Sequence, residues 1–463
     1  MSATVGRKYK AYPEYKDSGV EWLRGIPKDW SIIPVKYLAE LTPKKSAIHT
    51  LLMEKECSFL PMEKLKLNSI VLDEIRKVSD VYDGYTYFED GDVLIAKVTP
   101  CFENKNMAVA TGLTNGIGFG SSEIYVLRSN ERVNNRFLYY RLQEGSFMDI
   151  ATAAMTGAGG LKRVPAEIVN TYSLATPDFS EQTHITNFLD HETAKIDTLI
   201  EEQQSLIRLL KEKRQAVISH AVTKGLNPDA PMKDSCVEWL GDVPVHWSSG
   251  RLTYQVDLLV DGTHHSPESY PEGSHLYITA KNIKEHGFDF SNISYISSSD
   301  HKEIYSRCSV RKNDVLYIKD GATAGIAMIN DLEEEFSLLS SVALIRPRKN
   351  TLLPEYLKHH LNASVFKDEM LNRLSGGAMT RFTIDSISRF NILIPSLEEQ
   401  KKIVEHIEAI ESKMNVLIGE AEQAIRFIQE RRTALISAAV TGKIDVRHWI
   451  APQQKQPAAE ASQ

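Results

Sequence analysis

Cysteine is scarce in this 463-residue chain: Cys57, Cys101, Cys236 and Cys308 are scattered, with no CxxC pair. Such thiols fit a reduced, cytosolic protein better than a disulfide frame or a zinc site. Long apolar runs are lacking too. No stretch approaches the roughly 18 consecutive apolar residues that a membrane-spanning helix needs. The opening MSATVGRKYKAYPEYKD has no apolar core, so no signal peptide is expected and the expected location is cytoplasmic. Signatures of chemistry are missing as well. There is no GxxxxGK(S/T) phosphate cradle, and Gly442-Lys443 lacks the earlier glycine. GIGFG at 116–120 has the wrong spacing for a dinucleotide and reads as a turn. No Asn-Pro-Pro-aromatic motif of amino-methyltransferases occurs. His264, His265 and His275 have no acidic or Cys partner at a ligand spacing, so no metal is expected. Asp178, Glu192 and Lys195 invite a nuclease reading. The last two, however, lie three residues apart on one helix and read as a solvated ion pair. A net charge of −7 tells against a chain coated in basic surface, yet leaves room for local Lys and Arg clusters.

What is present is present twice. The stretch 180–223 reads as one long helix without Pro or Gly, about 44 residues or roughly 65 Å. Its apolar seam is Ile185, Leu189, Ile196, Leu199, Leu206, Leu210 and Val217. The seam returns as Ile403, Ile407, Ile410, Met414, Leu417, Ala421, Ala424, Ile428 and Leu435, at a constant offset of 218 residues. Alternating three- and four-residue spacing suits helix pairing rather than docking on a broad core. KDSGVEWLRGIPKDW (16–30) likewise recurs as KDSCVEWLGDVPVHW (233–247). Trp and Pro fixed in a short polar segment predict a turn docked over an apolar surface, with the tryptophans as packing anchors.

Between turn and helix lies a mixed region, again in two copies. GDVLIAKV (91–98) and SSEIYVLRS (121–129) read as strands, echoed by NDVLYIKDG (313–321) and SSVALIRPR (340–348). RFLYYRLQEGSFMDIAT reads as an amphipathic helix, echoed by EYLKHHLNASVFKDEML. A glycine-rich loop, MTGAGGLKRV (155–164), is matched by LSGGAMTRFT (374–383), with Arg163 and Arg381 in register. The expectation is an α+β protein. Two duplicated α/β domains are separated by a pair of long antiparallel coiled-coil helices, with pseudo-twofold symmetry. Expected boundaries are 1–178 for the first turn and domain, 179–224 for the central helix, and 225–396 for the second turn and domain. The C-terminal helix follows at 397–446, and the polar tail 447–463 reads as disordered by composition.

These motifs resemble the specificity subunit of type I restriction-modification enzymes, from about Tyr15 to Arg447. The carriers are the duplicated W…IP..W turns, DGTHHSP (261–267) leading to YITAKNI, DVLYIKDGATAG, SGGAMTRF, and the P-x-x-x-E-Q openings at 177–182 and 395–400. The resemblance implies two target recognition domains, each reading half of a bipartite, asymmetric DNA sequence across a fixed gap. It implies a subunit without catalysis that binds no cofactor itself. Two methyltransferase subunits would use S-adenosylmethionine, and restriction subunits would use ATP and Mg. A coiled-coil scaffold with two protein-binding domains is the alternative.

Gripping phosphate takes Lys, Arg, hydroxyls or backbone amides; reading bases takes Arg, Lys, Asn, Gln or His in the major groove. In the first copy the loop after the 91–98 strand offers Lys97, Thr99, Asn104, Lys105 and Asn106, and the glycine-rich loop adds Lys162 and Arg163. In the second copy the candidates are His264, His265, Lys281, Lys319, Thr380 and Arg381. Because the two sets differ, the half-sites are expected to differ.

Overall fold

The computed structural model describes residues 9–48, 52–372 and 381–451. The chain divides into two compact units, Met1–Glu202 with Gln423–Gln463, and Gln203–Glu422.

The centre of the first unit is a strand that the sequence marks by lacking alternation. All four residues of Val93–Ala96 are buried, as an apolar strand covered on both faces must be. It pairs antiparallel with Met107–Val109 on one side and Ile124–Ser129 on the other, and Ala39–Leu41 completes a four-stranded sheet. A second sheet runs Glu74–Lys77, Glu56–Leu60, Ile117–Gly120, Thr86–Glu89, with its middle pair parallel. The amphipathic stretch is not one helix but two, Asn135–Leu142 and Gly145–Ala153. The break falls where Glu144 caps the second helix by accepting from the Ser146 amide at 3.0 Å.

The second unit repeats the plan around Val315–Ile318, again wholly buried. Its main sheet runs Val256–Asp261, Val342–Pro347, Val315–Ile318, Ala327–Ile329, all antiparallel. A smaller sheet joins Ser294–Ile296, His275–Ile278 and Ser337–Leu338, the last pair parallel. Helices Pro354–Asn362 and Ser364–Asn372 follow, divided as in the first copy.

Two long helices, Phe179–Lys224 and Leu397–Val440, are each shared between the units. In the second unit the two run antiparallel. Arg214 donates to Asn415 at 3.1 Å, while Ile218, Ala221 and Val222 pack in one core with Ile403, Val404 and Ile407. In the first unit Arg432 donates to Asp197 at 2.9 Å, and Ile185, Leu189 and Ile196 share a core with Leu435 and Ile436. The predicted seam is buried at these ends and at Met414 and Ala421, but Leu199, Leu206 and Leu417 are exposed. Near the ends an α/β body covers a second side of each helix. Along the middle a single partner helix covers too little, and a straight helix drifts away from a 3.5-residue seam.

Both P-x-x-x-E-Q openings end in a wholly buried glutamine that ties a long helix to the body. Gln182 accepts from the Asn134 amide at 2.8 Å and donates to the carbonyls of Arg132 and Pro177, each at 3.0 Å. Gln400 repeats this with the Leu353 amide at 2.9 Å and the carbonyls of Thr351 and Pro395 at 2.9 and 3.0 Å. The Trp-Pro turns dock as expected, each on the far end of a long helix. Trp30 and Pro27 lie over Gly442, and Trp247 and Pro244 over Gly225. Trp30 also donates to Glu181 at 3.1 Å. Trp22 is only half-covered, stacked on Tyr172 at 5.7 Å.

Candidate nucleic-acid interface

The first glycine-rich stretch is a β-hairpin, not an irregular loop. Thr156–Ala158 pairs with Leu161–Arg163 across a Gly159-Gly160 turn, both glycines at positive φ. Every residue of both strands is exposed. The hairpin is sewn to the end of the central strand by a bridge between Val98 and Arg163. Thr99 reinforces it, donating from Oγ1 to the Gly160 carbonyl at 2.8 Å and accepting from the Lys162 amide at 3.0 Å. Lys97, Thr99, Lys162 and Arg163 therefore come together. Lys97 lies 5.2 Å over the Tyr125 ring, and Tyr125 donates to the Val164 carbonyl at 2.8 Å. Arg163 pairs side-on with Glu123, Nε to Oε2 at 2.8 Å and Nη2 to Oε1 at 2.9 Å. That guanidinium holds the Glu123 carboxyl below its ordinary range.

The other three candidates of this copy do not join them. Asn106 is buried, Asn104 is exposed, and Lys105 turns inward to donate to the Gln143 carbonyl at 3.1 Å. Lys105 lines a cavity of about 220 Å³ with Gln143 and Arg432, and burial lowers its pKa.

In the second unit the candidates gather around Asp261, which ends the strand leading into DGTHHSP. Its carboxylate lies 3.3 Å from Lys319 Nζ, 3.4 Å from Arg307 Nη1 and 3.1 Å from His264 Nε2. Lys319 is itself buried, so the free chain does not present it at the surface. His264 and His265 are exposed, the latter held by Thr263 Oγ1 at 2.9 Å from Nδ1. Lys281 is exposed beside Ala280, whose amide donates to Ser341 Oγ at 3.2 Å; the Ser341 carbonyl accepts from the Lys319 amide at 2.9 Å. Arg381 bridges Asp320, with Nε 3.4 Å from its carboxylate. Thr380 lies outside the described residues.

Sequence reading named the cations and missed their carboxylates: Glu123, Asp261 and Asp320. Asp261 was visible in its motif. Arg307 sits at the end of helix Ser298–Arg307 and gave no local signal. Also missed were two side-on pairs inside the sheets, Arg128 with Asp92 (2.9 and 2.7 Å) and Arg346 with Asp314 (2.8 and 2.7 Å). Among the described residues, no group of three or more His, Cys, Asp or Glu could hold a metal ion, and no helix is long and apolar enough to cross a membrane. The stacked rings of His275 and His301, 3.9 Å apart, are a packing contact. Lys195 pairs with Glu192 at 3.0 Å as the helical spacing predicts.

Fold and sequence together define a duplicated protein: two units of like main-sheet order, each with exposed cationic side chains beside the end of its central strand and each containing part of both long helices. The comparisons with known proteins show what the chain is similar to. Residues 269–425 match the type I restriction modification DNA specificity domain, so the resemblance drawn from the duplicated motifs is borne out. The chain is 35% identical over 206 residues to the type I restriction enzyme EcoAI specificity subunit of Escherichia coli. It is 20% identical over 447 residues to the MjaVIII specificity subunit of Methanocaldococcus jannaschii, covering 94% of this chain and 98% of that one. The EcoAI alignment takes in 44% of this chain and 34% of the relative, and that to the EcoEI subunit 40% and 31%. The matched stretch thus spans about a third of those two relatives. The fold is shared with a chain from a structural study of type I R-M complex assembly, at a TM-score of 0.70 and 18% identity, over 90% of this chain and 99% of that one. It is also similar to the HsdS subunit of Thermoanaerobacter tengcongensis, at a TM-score of 0.50 and 17% identity, over 90% and 98% of the two chains.

Proposed function

We propose that this chain is the non-catalytic specificity subunit of a type I restriction-modification system. In this reading it binds double-stranded DNA at a bipartite, asymmetric target with a gap of fixed length. It recruits two methyltransferase subunits, which carry S-adenosylmethionine, and restriction subunits, which carry ATP and Mg. The observation that carries the reading is the paired loop chemistry. Two bodies with the same main-sheet order each set exposed cations beside the end of their central strand, and the cations differ between them. Repeated geometry with unlike side chains suits two readers of unlike sequences, since sequence is read by the side chains that reach base edges. A net charge of −7 implies weak binding by the subunit alone, with the methyltransferase subunits helping to enclose the duplex.

The test is selection from a randomised duplex library by the chain together with its methyltransferase subunit. Recovery of one bipartite sequence is expected. A complex that recovers no preferred sequence overturns the reading.

A further inference from the structure

We infer that Arg163 reads a guanine rather than gripping a phosphate, and that Glu123 is the residue that positions it for this. The inference rests on the DNA-reading function proposed above. A guanidinium carries five N–H donors in a rigid plane. The pairing with Glu123 uses the Nε donor and one on Nη2, at 2.8 and 2.9 Å. What remains is the far end of the group, where Nη1 and the second Nη2 hydrogen offer two parallel donors. That pair matches O6 and N7 on the major-groove edge of guanine.

A phosphate contact needs charge, and a carboxylate beside the arginine works against it by repelling the phosphate. A base contact needs orientation, which the carboxylate supplies. The surroundings support that division. In the two side-on pairs inside the sheets the aspartate is buried, Asp92 and Asp314 each at 3% exposure, so those pairs hold the sheet together. Arg163 is 48% exposed and Glu123 28%, on a hairpin with no buried residue of its own. Both partners are nonetheless fixed through their backbones. Glu123 accepts at its carbonyl from the Lys97 amide at 2.9 Å, and Arg163 forms the bridge to Val98. The pair is anchored at its base and open at its tip. The second unit repeats the bridge at Asp320 and Arg381 with one longer contact of 3.4 Å, a less constrained version of the same arrangement.

The experiment uses the full chain with its methyltransferase subunit, the duplex recovered by selection, and every single-base-pair variant of that duplex. Arg163→Ala is expected to weaken the selected duplex by about 10- to 100-fold, the worth of one bidentate base contact. The loss should be confined to one G·C pair, at which all four base pairs then bind alike, with the salt dependence unchanged. Arg163→Lys keeps the charge and should lose the same discrimination, because an ammonium cannot make the planar pair of bonds. Glu123→Gln should narrow discrimination at that base pair several-fold without weakening unselected DNA. Melting temperatures equal to wild type tie these effects to recognition. Uniform loss across all duplexes, with the salt slope smaller by about one, makes Arg163 a phosphate contact and overturns the inference. So does an unchanged Arg163→Ala, or a Glu123→Gln that discriminates like wild type. If the unmutated complex selects no sequence, the DNA-reading function itself falls, before any variant is made.

Discussion

His359 and His360 stand side by side in helix Pro354–Asn362, both almost wholly buried. Burial pushes His360 down to about 4 and, with Lys358 adding to it, His359 down to about 3. Both imidazoles are therefore neutral in the folded chain well below the ordinary value near 6.5. An unfolded chain takes up those two protons as the pH falls through about 6.5. The stability they allow is complete above that value and is lost as the pH falls toward 4. The expected loss is about 1.4 kcal/mol per histidine per pH unit. Urea unfolding of the second unit followed from pH 6.5 to 5 should show a contribution from these two histidines that rises from about one proton at pH 6.5 toward two at pH 5, and that is about halved in His360→Leu. A flat midpoint over that window contradicts the assignment. At the same scale, the buried glutamines mark how far sequence reaches. Gln182 and Gln400 stand out as a repeated motif, yet a polar residue in a helix's first turn gives no sign of being buried.

At the scale of elements, the ends of the long helices are fixed by shape. Gly442 follows the C-terminal helix at φ +71°, and a Cβ there would lie 2.4 Å from both Cγ and Cδ of Pro27. Gly225 follows the central helix at φ +77°, where the nearest atom to such a Cβ is on the Trp247 ring at 3.2 Å. Each alanine would have to adopt a left-handed backbone, costing roughly 1–2 kcal/mol. Gly442→Ala adds an overlap with the proline ring, so it is expected to cost about 1–3 kcal/mol more than that backbone term. Thermal unfolding should therefore rank Gly442→Ala below Gly225→Ala, and equal melting temperatures would contradict a tight Pro27 contact. The hairpin at 156–163 shows the opposite case. Its glycines are plain in sequence and read as a loop, because three-residue strands with no buried side leave no alternating pattern.

At the scale of the whole molecule, the two copies share a frame and differ in their loops. The first copy presents Lys97, Lys162 and an arginine set by Glu123; the second presents His264, His265, Lys281 and an Asp261 network. Unlike donor sets read unlike base edges. The selected target is therefore expected to have two different halves, and methylome sequencing of a host carrying the chain and its methyltransferase subunit would show the same asymmetry. Recovery of a perfect palindrome contradicts it.

The duplication, the long helices, the Trp-Pro turns and the central strands were all readable along the chain. Each is written in local periodicity or in a motif repeated at a fixed offset, and neither needs a neighbour to be recognised. Packing decided what no local pattern carries: that Lys319 is buried against Asp261, that Lys105 faces inward while Lys162 and Arg163 face out, and that Glu123 sets the plane of Arg163. Burial and charge pairing are properties of segments that meet only once the chain has folded, here up to 58 residues apart for Lys319 and Asp261. Residue types fixed which side chains were available for recognition, and the tertiary contacts fixed where they point.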